Sequence, residues 1–385
     1  MKKTVCLIHI DKIINRIGGA EKVLADMANA LAARNFNVHV LCYDTEEGKP
    51  FYTFNKNVHL HLCIDTQGKF IQNLFKLACL PLPTTTRRRC RFALKMQRIS
   101  CFFKPLLMKI LPDVVIAFSP DLIYLLNKII KIQQPVVSML HSDPRFFISN
   151  KNFPFYKNCF ISDKDIIQVL VPAFIPLIQA QIPNIRILEI PNYIQLGPNI
   201  TLSNYKSHSI INTSRISQEK RHELLIDAFA KISRKYPDWT LDLWGPTDID
   251  PRYTAKLMKK IQELGLINKV IFHGETKDIH SKLSQASIFC FPSAFEGFSL
   301  ALLEALAHGL PVIACKDCLS VVSILHNNIE AFFTEPSPDA LSKALETLMS
   351  DSSLRHSMGQ KSLTLSSKFS DTIIWDRWER LIQSL

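Results

Sequence analysis

The 385-residue sequence predicts an α/β protein made of two doubly wound, parallel-sheet domains. Three observations predict it. Short apolar runs alternate with helical patterns along nearly the whole chain, which is the signature of βαβ units and parallel sheets. A chain of this length with 47% hydrophobic residues exceeds one ordinary core and fits two. The alternation breaks once, at 195–208, in a stretch rich in Gly, Pro, Asn and Ser.

The elements follow in order. TVCLIHI (4–10) is a short, β-branched apolar run, read as a buried strand. After the loop DKIINRIGG, Val23, Leu24, Met27, Ala28 and Leu31 recur at helical spacing. Asn35 stands where a left-handed helix-terminating residue belongs. NVHVLCY (37–43) completes a right-handed βαβ unit. DVVIAF (113–118), the helix-like DLIYLLNKII (121–130), PVVSML (135–140) and RILEIPNYI (186–194) continue the first half. Beyond the linker, strand-like SIINTSR, WTLDLWG, KVIFHG, SIFCFPS and LPVIAC alternate with helical segments. A last helix, within 369–382, lines up Ile374, Trp375, Trp378 and Leu381 on one face.

Charge and cysteines narrow the function. Residues 1–205 carry 25 Lys+Arg against 13 Asp+Glu, whereas 206–385 carry 21 of each. The excess therefore lies in the first half, which suits a phosphate-rich or anionic-membrane partner. TTTRRRCRFALKMQRISCFFKPLLMKI (84–110) holds eight Lys/Arg and no acid, interleaved with Phe92, Phe102 and Phe103. A basic amphipathic helix of this kind fits an anionic membrane surface ahead of nucleic acid or a plain solvated face. Ten scattered cysteines, only Cys315 and Cys318 at CxxC spacing, form no zinc set and read as reduced, packed and intracellular. His9, Asp11 and Lys12 cut short the apolar start, so no signal peptide is expected, and no run is long enough to span a membrane.

Three stretches can carry chemistry. In INRIGGAEKVL (14–24), Gly18 and Gly19 open a helix after a strand, where backbone can approach an anion, although a pair of glycines alone is more often only a turn. In TSRISQEK (213–220), Arg215 and Lys220 flank a strand-to-helix turn and can converge on one diphosphate; singly they are ordinary surface cations. In FPSAFEGFSLALLEALAHGLPVIA (291–314), Glu296 falls in the turn after a buried strand. Ser299 is placed to cap a helix that runs to His308, with Gly309 and Pro311 as its stop. Glu304 lies inside that helix beside Leu300, Leu303 and Ala307, where a carboxylate can accept ribose hydroxyls or pair with a lysine. His141 follows a strand end, a position where sites form but where a single histidine is more often structural. Asp248-Ile-Asp250 matches a metal-binding DxD only by chance.

Together these residues resemble the family 4 retaining glycosyltransferases, which have the GT-B fold of two facing Rossmann-like domains. The resemblance covers nearly the full chain. It rests on Glu-x7-Glu (EGFSLALLE), Arg-x4-Lys (TSRISQEK), the loop and helix GGAEKVLADMANALAARNFNVHVL, LEIPNYI and the Trp-bearing final helix. It implies an acceptor-side domain at 1–200, with 369–385 packing back on it, and a donor-binding domain at 205–368. Arg215 and Lys220 would hold the donor diphosphate, and Glu304 its ribose. Glu296 and the backbone of Gly297, Phe298, Ser299 and Leu300 would meet the donor sugar. His141 would reach the transferred sugar, and Gly18 and Gly19 the phosphate or acceptor. Catalytic roles would fall to Glu296, His141, Arg215 and Lys220. The resemblance implies a UDP-linked donor, a lipid-linked or cell-envelope saccharide acceptor (lipopolysaccharide or capsule), no metal, no cofactor and no nucleic acid. The basic first half and the reduced cysteines imply a cytoplasmic, membrane-peripheral location. A nucleotide-sugar epimerase and a degenerate nucleotide-sugar binder are the alternatives. The sequence departs from the pattern at Ser299, where a second glycine is usual. It departs again at KDCLSVVSIL (316–325), where a Gly-rich, Glu-containing turn is usual.

Overall fold

The computed structural model describes residues 2–16, 18–67, 83–160, 163–195 and 200–385. The chain forms two compact units, one of Met1–Pro191 with Trp375–Leu385 and one of Asn192–Ile374. Part of the 195–208 linker, residues 196–199, lies outside the described residues.

The first unit holds a seven-stranded sheet in the order β3-β2-β1-β4-β5-β6-β7. The strands are β1 (Thr4–His9), β2 (Asn37–Asp44), β3 (Val58–Ile64), β4 (Val114–Ala117), β5 (Val136–Met139), β6 (Ile166–Val169) and β7 (Arg186–Glu189). Every neighbouring pair is parallel. The central strands read as continuous apolar runs because helices cover both faces; Val5, Leu7, Ile8, Val114 and Ile116 are wholly buried. Helix α1 (Gly19–Ala33) joins β1 to β2, burying Val23, Leu24, Met27, Ala28 and Leu31. Asn35 follows it in the left-handed region, at φ 68°. Helix α2 spans Thr84–Ile110. The helical pattern at 121–130 settles as a π-helix, Tyr124–Ile130.

The second unit holds a six-stranded parallel sheet in the order β10-β9-β8-β11-β12-β13. Its strands are β8 (Ser209–Thr213), β9 (Thr240–Trp244), β10 (Val270–Gly274), β11 (Ile288–Phe291), β12 (Val312–Cys315) and β13 (Ala331–Thr334). The helices between them are α3 (His222–Ile232), α4 (Pro251–Glu263), α5 (Ile279–Gln285) and α6 (Leu300–Ala307), followed by α7 (Pro338–Ser350) and α8 (Ser352–Ser366). One core layer joins α3, α4 and α7 to the sheet through Leu225, Phe229, Leu257, Leu243, Ile313 and Leu345. In each sheet the strand order reverses beside the first strand, between β1 and β4 and between β8 and β11. A doubly wound sheet opens its ligand crevice at the carboxyl ends of those strands.

The final helix, α9 (Asp371–Ser384), enters the first unit at Trp375. Trp375, Trp378, Leu381 and Ile382 are buried. Arg377 pairs with Glu189 at 2.6 Å, and the Lys3 amine donates to the Ile382 carbonyl at 3.0 Å.

Candidate active site

In the second unit β8 ends at Thr213, and the chain turns through Ser214–Lys220 into α3. The turn is held from below. Ser214 Oγ donates to Asn212 Oδ1 at 2.7 Å, and Asn212 Nδ2 donates to the Cys290 carbonyl of β11 at 2.8 Å. His222, wholly buried at the start of α3, lies 3.1 Å from Ser214 Oγ through Nε2. Burial lowers the His222 pKa to about 4, so the ring is neutral behind the turn. Gly245 passes directly beneath: a Cβ there would stand 2.1 Å from the Ser214 carbonyl oxygen, and its φ is +142°. Only glycine lets β9 and the cation turn pass at that distance.

The stretch 291–314 supplies the second wall. β11 is fully buried and delivers the chain to Pro292 and Ser293 at the carboxyl edge of the sheet. The Ser299 hydroxyl caps α6 by accepting from the Leu302 N–H at 3.3 Å, and Gly309 takes φ +71° just past the helix. Leu302, Leu303, Ala305, Leu306 and Ala307 pack inward, whereas Glu304 is half-buried on the remaining side.

The two walls are joined at three points. The Ala294 N–H donates to the Glu219 carbonyl at 2.9 Å. Lys220 Nζ meets Glu296 Oε1 at 2.5 Å, with side-chain exposures of only 12% and 10%. Arg221, in the left-handed region at φ 54°, forks onto both Asp317 oxygens at 2.8 and 2.6 Å. Arg215 is exposed and stands 3.8 Å from Glu219. Lys220 and Glu296 are therefore in direct contact, Arg215 lies on the same turn, and Glu304 follows on the helix behind Glu296. Beside them burial, with the negative charge of Glu296, pushes the Cys318 thiol up to about 11, so it stays protonated.

Arg221, His222 and Asp317 did not stand out in the sequence. Arg221 and Asp317 are 96 residues apart, and only the β8-β11-β12 neighbourhood brings them together. KDCLSVVSIL, where the Gly-rich turn is missing, forms a short helix at Leu319–Val322, and the Arg221–Asp317 fork pins its entrance. A cleft of about 860 Å³ opens beside Arg221, but neither Lys220 nor Glu296 lines it. It mixes Arg221, Arg252 and Lys256 with Glu223, Asp227 and Asp250, and so has no marked preference for either charge.

In the first unit Gly18 is the residue preceding α1, and a Cβ on it would fall 2.1 Å from a Glu21 carboxylate oxygen. Glu21, buried, turns back over the helix start and pairs with Arg16 at 3.1 Å. His141 stacks on Phe118 at 5.2 Å, at the carboxyl ends of β5 and β4. Burial, then the nearby His9, lowers its pKa to about 4. His9, at the carboxyl end of β1 and edge-on to Phe118 at 6.1 Å, is a site-edge residue that the sequence reading missed. Burial lowers its pKa too, against the charges of Asp11 and Glu21. Neither histidine's Nε2 has a hydrogen-bond partner among the described residues. In the sequence His9 marked only the end of the first apolar run.

One reading changes. The phenylalanines of α2 are not offered outward: Phe103 is wholly buried, Phe92 packs on Tyr124 at 5.4 Å, and Phe102 packs on Tyr43 at 5.9 Å. Their helical phase turns them onto the domain, leaving Arg89, Arg91, Lys104 and Lys109 on or near the surface. Asp250 of the DID tripeptide caps α4 by accepting from the Tyr253 N–H at 3.1 Å, which accounts for it without a metal. No helix among the described residues is long and apolar enough to cross a membrane.

The family model for glycosyl transferases group 1 matches residues 198–364. Over 370 residues, 96% of this chain and 97% of the relative, the sequence is 23% identical to an uncharacterized glycosyltransferase of Haemophilus influenzae. It is 28% identical over 166 residues to an N-acetylgalactosamine-N,N'-diacetylbacillosaminyl-diphospho-undecaprenol 4-alpha-N-acetylgalactosaminyltransferase of Campylobacter jejuni, which covers 43% of each protein. Among solved structures, the Anabaena protein HepE in complex with UDP and glucose superposes with a TM-score of 0.71, 18% identity and full coverage of both chains. That likeness establishes the GT-B architecture of two Rossmann-like parallel-sheet units. Residues 198–364, nearly the whole second unit, match the family model for glycosyl transferases group 1.

Proposed function

We propose that the chain transfers a hexosyl unit from a UDP-linked donor to a lipid-linked or cell-envelope saccharide, with retention at the anomeric carbon. The observation that carries this reading is the meeting of Lys220 and Glu296 at 2.5 Å inside the matched glycosyltransferase domain, at the edge where β8 and β11 end. Arg215 and Lys220 hold the diphosphate and stabilise the charge that develops on the departing nucleotide. The free N–H groups at the start of α6, Gly297 to Leu300, add a positive end beside them. Glu304 accepts the ribose hydroxyls, and Glu296 meets the donor sugar. Two cations and a helix terminus take the place of a metal. In the first unit His141, Gly18 and Gly19 serve the acceptor side. HepE, whose structure holds UDP and glucose, supports the choice of base. The Campylobacter enzyme, named for a diphospho-undecaprenol acceptor, supports a lipid-linked one.

The test is transfer from a panel of nucleotide sugars to an envelope extract, with the anomeric configuration of the product read by NMR. Arg215→Ala and Glu304→Ala abolish transfer in this reading; undiminished transfer would remove the residue assignment.

The acceptor's location follows from α2. Its outward cations support a seat on the cytoplasmic face of an anionic membrane. Flotation with anionic liposomes should be lost when Arg87, Arg88, Arg89 and Arg91 are neutralised together. No binding, or binding that survives this change, would remove the membrane step. A second reading, a nucleotide-sugar binder without turnover, is favoured by one feature: residues 319–322 form a pinned helix where the family carries a glycine-rich turn. It predicts donor binding with no product.

A further inference from the structure

The Lys220 amine has two anionic partners on the proposed reading, the donor diphosphate and Glu296. In this structure its charge is already matched by Glu296, on a contact of 2.5 Å between two side chains that are nearly buried. Both come from loops stapled together by the Ala294 to Glu219 hydrogen bond, with the Arg221–Asp317 fork beside them, so the backbones that carry the pair stay together while the side chains can exchange partners. A nearly buried ion pair is costly to break on one side only, because the survivor is left uncompensated away from water. An incoming anion therefore competes with Glu296 for the Lys220 charge.

We propose that Glu296 is a resident competitor for Lys220: it holds the amine in register and exchanges it for the donor's diphosphate, so that it sets the threshold for anion binding at this site. The proposal rests on the donor-binding reading of Lys220. Three consequences follow from the geometry. A ligand must bring enough charge to replace a carboxylate in close contact, so a monophosphate is rejected more strongly than a diphosphate. The displaced Glu296 carboxylate becomes free to accept sugar hydroxyls only once the diphosphate has seated, which orders sugar recognition after diphosphate capture. Glu296 also lowers affinity for the nucleotide product by competing for Lys220, which speeds its release.

The experiment is calorimetry of the full chain with UDP, UMP and inorganic pyrophosphate, comparing the wild type with Glu296→Gln, Lys220→Gln and the double variant. The glutamine side chain keeps the shape and an acceptor oxygen but removes the charge. Glu296→Gln should bind UDP and pyrophosphate about tenfold more tightly, the scale expected for releasing one close charge pair, while sugar transfer falls. In the Lys220→Gln background the same change should leave affinity within about twofold. A gain that persists without Lys220 would mean only a general loss of negative charge and would overturn the exchange. Weaker or unchanged binding by Glu296→Gln would overturn it as well. Glu296→Asp, which keeps the charge on a shorter arm, should fall between the two, and it provides the readout if the Gln variant does not fold. Failure of every nucleotide to bind any variant would instead remove the donor-site reading itself.

Discussion

Gly245→Ala should do more damage than the same replacement at Gly265, Gly274 or Gly309 in the second unit. The new Cβ would stand 2.1 Å from the Ser214 carbonyl oxygen and 2.7 Å from its carbon, both backbone atoms that cannot rotate away. Its φ of +142° adds backbone strain of about 1–3 kcal/mol. Moving the turn to relieve the clash adds about 1–3 kcal/mol more, as for an overpacked core. The sum, about 4 kcal/mol, corresponds to roughly 8–16 °C for a unit of this size. Gly265→Ala is the control: its φ is +68° and no atom lies within 4 Å, so only the left-handed strain of about 1–2 kcal/mol applies. Both variants share the small gain from a stiffer unfolded chain. Differential scanning calorimetry gives the stability, and a UDP titration reports whether Arg215 and Lys220 remain in place. A Gly245→Ala protein as stable as Gly265→Ala, or one that binds UDP normally, would refute the claim that this close approach supports the cation turn.

Asp317→Ala should weaken UDP binding several-fold by releasing the loop that carries Lys220, whereas Asp317→Glu should restore most of it; equal affinities in calorimetry would dismiss the fork as a positioning device. Acid stability should depend on His222. Its folded pKa, about 4, is lowered from the usual 6.5, so the unfolded chain binds the extra proton first. Stability present above pH 6.5 is then lost as pH falls towards 4, by at most about 3 kcal/mol. His222→Gln should flatten that part of the pH–stability curve, measured by urea unfolding. Lys3→Ala, which removes the amine that donates to the Ile382 and Gln383 carbonyls at the end of α9, should lower stability by about 1 kcal/mol without changing UDP affinity, and a change in affinity would contradict the separation of roles.

Much of the fold was legible because parallel strands and amphipathic helices write their periods plainly. β1, β2, β8, β11 and β12 are short apolar runs, and α1 and α3 show their buried stripes. The cap at Ser299 and the stops at Asn35 and Gly309 were readable from residue type alone. The misses have physical causes. Helix α8 buries Ser362, Ser366 and Gly359 where an apolar stripe would be expected, because Gly359 must fit under the Tyr205 hydroxyl. Strand β3 alternates histidine with apolar residues at the sheet edge, and His39, His59 and His61 stack there instead of a recognisable hydrophobic face. Of the candidate site, the residue types at 215, 220, 296 and 304 were readable. The Lys220–Glu296 contact was not, since it depends on β8 and β11 lying side by side across 76 residues of sequence. The outward placing of the α2 phenylalanines failed for a similar reason: spacing along a helix gives its stripe, but not which side the domain covers.

The account depends most directly on whether residues 213–221 and 292–304 hold a nucleoside diphosphate. Calorimetric titration of UDP into the wild-type chain and into Lys220→Gln decides it. One site per chain, lost or weakened at least tenfold by Lys220→Gln, is the result the account predicts. UDP binding that is indifferent to Lys220 would contradict it.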